Sequence, residues 1–132
     1  MRLDDSSISG DVVLLRALPF EGWYKFDGDR IRVSSIAFID NLSGEVSCYL
    51  DSAARRSELS INRFPGCFMA RFTVDQARNS GFNAAFDPDG DPDHSREHIV
   101  LTFGRNDASR KEVQRAAKTL AICCEVIPPS NS

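Results

Sequence analysis

Hydrophobic and polar positions fall into short blocks, each closed by a turn residue. Asp11 to Leu18 (DVVLLRAL) has the continuous apolar character of a buried strand and ends at Pro19. Glu45 to Leu50 (EVSCYL) alternates polar and apolar, the pattern of a half-buried strand. Ile31, Val33 and Ile36 to Ile39 predict a further strand region, preceded by the Asp27-Gly28 turn signal and closed by the polar cluster Asp40 to Gly44. Phe68 to Phe72, Phe82 to Phe86 and Glu97 to Phe103 complete the strand candidates.

The helical signals are fewer and rest on caps. Asp51 to Leu59 can open a short helix with Asp51 or Ser52 as its N-cap. Thr73 and Gln76 have capping-box spacing, and Gly81 stops that helix two turns later. Ser109 and Glu112 repeat the spacing ahead of the strongest helix, about 109–122. Its stripe of Val113, Ala116, Ala117, Leu120 and Cys124 sits at helical intervals. No regular strand–helix–strand rhythm appears, so the pattern predicts an α+β fold: one domain over 1–132. Its antiparallel or mixed sheet has about five to seven short strands, with two or three helices packed on one face. Residues 1–10 and 128–132 are expected as loose ends.

Composition narrows the function. With 132 residues and 42% apolar content the chain can bury a core, which excludes a disordered segment. The net charge of −3 argues against a general nucleic-acid binder. Charge is segregated, however: 87–97 carries five acids and one base, and 105–118 carries five bases and two acids. The longest apolar run, Leu120 to Cys124, is far below the roughly 20 residues that cross a bilayer, and the acidic start has no signal-peptide core. Cys48, Cys67, Cys123 and Cys124 lack metal-ligand spacing, so reduced thiols in a cytoplasm are expected.

Two strings invite a metal. His94-Ser95-Arg96-Glu97-His98 fits the H-x-x-E-H pattern of inverted zinc peptidases, which needs both imidazoles on one helix face. Here the string runs from a Pro-rich loop into a strand, where the rings do not converge. Asp87, Asp89, Asp91 and Asp93 alternate as calcium ligands do, but Gly90 falls fourth instead of sixth, and His98 stands twelfth where a Glu is needed. No metal is therefore expected, with Asp87, Asp89, Asp91, Asp93, His94 and His98 the only weak candidates. Lys111, Arg115 and Lys118 share one face of the last helix and could meet phosphate or an acidic surface.

Arg16 on the first strand, Ser34-Ser35 after Arg32, and Glu58 at the end of a helix-like segment follow a recognisable order. It resembles the NAD-binding half of ADP-ribosyltransferase-like proteins, including RES-type proteins. The resemblance implies Arg16 on the NAD phosphates, Ser34 or Ser35 on the nicotinamide ribose, and Glu58 stabilising an oxocarbenium-like charge. Arg32-x-Ser34-Ser35-x-Ala37-Phe38, Phe72-Thr73 with Ala77-Arg78, and Pro92-x-His94-Ser95 also resemble a set of small bacterial proteins with no assigned activity, which implies a bacterial cytoplasmic setting.

No convergent catalytic set emerges from the chain itself. The leading expectation is therefore a protein-interaction or accessory module that needs no cofactor. Its partner would be another protein, or a second copy of this chain, and its anchors Phe20, Trp23, Tyr24 and Phe26. An NAD-consuming enzyme using Arg16, Ser34, Ser35 and Glu58 is the alternative, and phosphate binding by Lys111, Arg115 and Lys118 the second alternative.

Overall fold

The computed structural model describes residues 3–39, 44–87, 98–104 and 109–129. The expected polar turn at 40–43, most of the expected acidic loop with Asp89, Asp91, Asp93 and His94, and positions 105–108 at the start of the basic stretch lie outside these residues. What is described is an α+β fold: a six-stranded antiparallel sheet, a separate two-stranded hairpin and three α-helices.

Strand β1 (Val13–Leu18) is near the sheet centre, between β4 (Glu45–Leu50) and β5 (Phe68–Thr73). Beyond β4 lie β7 (His98–Phe103) and β6 (Phe82–Phe86), and beyond β5 lies the three-residue edge strand β8 (Glu125–Ile127). Because side chains alternate across a strand, β1 divides its residues between two cores. Leu14 and Leu18 join the larger one, with Phe38, Phe72, Val74, Ile99, Leu101 and Leu120. Leu15 joins a smaller one with Tyr49, Leu59 and Met69.

Local chemistry sets the helices. Thr73 ends β5 and caps α2 (Val74–Ser80): its hydroxyl accepts from the Gln76 amide at 3.1 Å, and Gln76 Oε1 accepts from the Thr73 amide at 2.8 Å. Gly81 stops the helix at φ +112°, a left-handed conformation that suits glycine. Helix α3 (Arg110–Cys123) buries Ala116, Ala117, Leu120 and Ala121 against the larger core. Ser109 caps it by accepting from the Glu112 amide at 3.2 Å. The Glu112 carboxylate meets the Ser109 hydroxyl at 3.4 Å instead of its amide, so the second half of the expected box is replaced by a side-chain contact.

The structure departs from the sequence expectations elsewhere as well. Ile36 to Ile39, expected as strand, fall instead on a 3-10 turn (Ser35–Phe38) and its C-cap; the turn is capped by the Ser34 hydroxyl and sends Ala37 and Phe38 into the same larger core, whereas successive residues of a strand point to opposite faces. Helix α1 (Ala53–Glu58), capped by Ser52, runs on into a π-helical turn over Leu59–Arg63. That segment covers the smaller core through Leu59, so helices lie on both faces of the sheet, not one. Strand β8 had no sequence signal. Finally, the segment 4–8 is docked: Ile8 is buried, Asp5 N donates to Ala84 O at 2.8 Å, and Arg78 holds Asp4 at 3.1 Å. No helix among the described residues is long and apolar enough to cross a membrane.

Candidate interaction surface

Outside the main sheet stands the hairpin of β2 (Tyr24–Asp27) and β3 (Arg30–Val33). Two glycines shape it. Trp23 N donates to Phe20 O at 3.2 Å with Gly22 at φ +91°, the conformation that the third place of a type II turn requires. At the tip Gly28 has φ +61° and is followed by Asp29 without positive φ, the pattern of a two-residue type II′ loop.

Residues directly opposite in the ladder share a face, so the hairpin is two-sided. Tyr24 pairs with Val33 and Phe26 with Ile31 to give an apolar face; Lys25 pairs with Arg32 and Asp27 with Arg30 to give a charged one. The apolar face meets Phe68 at the start of β5, with ring centres 5.0 Å from Tyr24 and 6.4 Å from Phe26. Tyr24 and Trp23 are half-buried, whereas Phe26 remains 70% exposed and Phe20 59%. Phe20 stands edge-on to Trp23 at 5.1 Å. Of the four expected anchors, two thus brace the hairpin and two face solvent.

Beside the hairpin runs a groove of about 1100 Å³ between β3, the C-terminal turn of α3 and β8. Its apolar lining includes Ile31, Val33, Phe68, Ile122 and Val126, while Lys25, Arg30, Arg32 and Lys118 border it with Asp29 and Glu125. Asp27 holds Arg32 at 3.0 Å, and Arg71 holds Glu125 at 3.1 Å.

The residues of the NAD-type reading do not share a cleft. Arg16 lies on the α3 side of the sheet, donating Nε to Ala37 O and a terminal nitrogen to Ser47 O, both at 3.0 Å, beneath the Trp23 ring at 4.8 Å. Ser34 is near it as the cap of the 3-10 turn, where its hydroxyl accepts from Ile36 N, and Ser35 is the first residue of that turn. Glu58 ends α1 across the sheet and pairs with Arg55 at 3.1 Å and Arg63 at 3.7 Å. β1 and Tyr49 separate the ends of the set, since alternation sends Arg16 and Leu15 to opposite faces.

Lys111, Arg115 and Lys118 are exposed on α3, and of the three Lys118 reaches the groove. His98, 3% exposed, points Nδ1 at Asp87, 3.2 Å from its main-chain oxygen and 3.6 Å from its carboxylate. Its ring packs on Tyr49 at 5.2 Å, so it belongs to the smaller core as a strand residue. Among the described residues no three His, Cys, Asp or Glu side chains converge to hold a metal ion.

Sequence reasoning missed the ionic layer around Tyr49. Arg55 and Arg63 lie over its ring at 5.5 and 5.7 Å, and Arg63 donates to its hydroxyl at 3.0 Å. The Arg-Arg pair at 55–56 was the available signal, because consecutive arginines on a short helix serve two different sides. It missed Lys25 and Arg30 too, whose role depends on where the hairpin packs. Comparison with protein-family models, with curated proteins and with solved structures finds no match to this chain.

Proposed function

We propose that this chain is a cytoplasmic protein-interaction module that works through the β2–β3 hairpin. The observation that carries the reading is the pair of large aromatics, Phe20 and Phe26, held in the open by rings beneath them. An exposed Phe fixed in an edge-on stack loses little further freedom when a partner covers it, so its burial becomes net affinity. The polar groups elsewhere support the same reading. Arg16, Arg55 and Asp51 are spent on carbonyls, rings and ion pairs within the fold.

The test compares baits. Wild-type protein, F20A/F26A and the distant surface variant K111A/R115A are used for capture, and each prey is then purified and titrated against all three. A prey that binds wild type and K111A/R115A, and loses at least about tenfold in affinity on F20A/F26A, supports the module. Preys retained equally by F20A/F26A overturn it.

A further inference from the structure

We infer that the groove beside the hairpin receives an extended, acidic segment of the partner protein, an assignment that rests on the interaction reading above. The first observation is electrostatic. A chain of net charge −3 gathers four cations and two acids around this one groove. Arg32 and Glu125 are already engaged with Asp27 and Arg71. That leaves Lys25, Arg30 and Lys118 facing a single acid, Asp29. All three cations are exposed, and among the described residues none forms an ion pair with a carboxylate, although Asp27 stands opposite Arg30 in the ladder. A rim of this sign steers an anionic partner and rejects a cationic one.

The second observation is the backbone. Among the described residues strand β3 pairs with β2 alone and β8 with β5 alone, so each presents there one strand edge without a ladder partner, and both border the groove. Unpaired edges recruit extended chains, whose alternate side chains then enter or leave the groove. Ile31, Val33, Phe68 and Val126 offer apolar seats for one set, and Lys25, Arg30 and Lys118 offer charge for the other. A nucleic acid would satisfy the cations and leave the apolar seats unused, so a peptide is the better occupant.

The experiment follows the emission of Trp23, the single tryptophan, which adjoins β2. Short synthetic peptides alternating Leu or Val with Glu, with Lys or with Gln are titrated into the full chain, along with a single-stranded oligonucleotide. The expected result is binding of the Glu peptide at least about tenfold tighter than the Gln peptide and none of the Lys peptide. That preference should weaken on raising salt from about 50 to about 500 mM. K25Q/R30Q/K118Q, whose substitutions are all at exposed positions, should abolish it with unchanged thermal unfolding.

Equal binding of Glu and Gln peptides, insensitive to the triple variant, overturns the acidic assignment. The interaction reading then survives if F20A/F26A still loses its prey. Tighter binding of the oligonucleotide, lost in the triple variant, overturns the peptide assignment. Selective binding of the Glu peptide while F20A/F26A keeps every prey upholds the groove and removes Phe20 and Phe26 as anchors.

Discussion

The guanidinium carbon of Arg16 lies 4.8 Å from the centre of the Trp23 ring, so one central-strand cation supports the base of the exposed hairpin. The same side chain ties the 3-10 turn to β4 through two carbonyls at 3.0 Å. Replacing it strands both acceptors under a ring. R16A should cost about 2–4 kcal/mol, from charged hydrogen bonds and the ring contact together. R16K keeps the charge without the planar fork and should fall between. Urea unfolding followed by Trp23 emission measures both. A midpoint for R16A equal to wild type would contradict this bracing role.

Asp51 joins three parts of the chain. Arg56 donates to both of its oxygens at 2.6 Å, and Arg71 donates at 2.9 Å while also holding Glu125 on β8. The hydrogen bond from Arg56, helped by Arg71 and opposed by burial, holds the Asp51 carboxyl below its ordinary 3.8. A depressed carboxylate stabilises the fold fully above its unfolded pKa, and that stabilisation disappears as pH falls through the lower folded value. D51N should therefore cost about 1–2 kcal/mol at pH 7, because both arginines are half-exposed, and the difference should shrink below about pH 4. Parallel stability curves for D51N and wild type between pH 7 and pH 2 would refute the assignment.

The four thiols divide by environment. Burial pushes Cys48 up to about 12, against a smaller opposing pull from Arg16, and burial chiefly pushes Cys124 up as well. Cys67 is raised by burial, and Cys123 is exposed at the end of α3. Only thiolates react, so a maleimide at pH 7.5 should label Cys123 first and Cys67 more slowly. Cys48 and Cys124 should react on unfolding alone. Peptide mapping at short times checks the order, and early label on Cys48 would contradict the packing around β4.

Elements whose signals are local were legible in the sequence: the Thr73–Gln76 box, the Gly81 stop and strand β4 occur where residue pattern puts them. Strand β8 was not legible, because Glu125–Ile127 extends only when β5 offers Met69 to Arg71 as a template. Ile36 to Ile39 misled for a similar reason. β-branched residues favour strands, but here a Ser34 cap and the need to bury Ala37 and Phe38 together prevail. At the candidate surface the aromatic cluster could be read directly. Its division into braced and exposed rings could not, since that depends on Phe68, many residues away.

The strand order also sets how the chain must find its shape. Leu15 has to meet Arg71, Tyr49 has to meet His98, and Met69 has to meet Ile127 before the sheet exists. Each pairing closes a large loop and spends chain entropy before any contact repays it. The short-range pieces, α3 and the hairpin, can form early but bury little alone. Assembly is therefore governed by the arrival of distant strands on either side of β1, and refolding belongs on the order of milliseconds to seconds instead of microseconds.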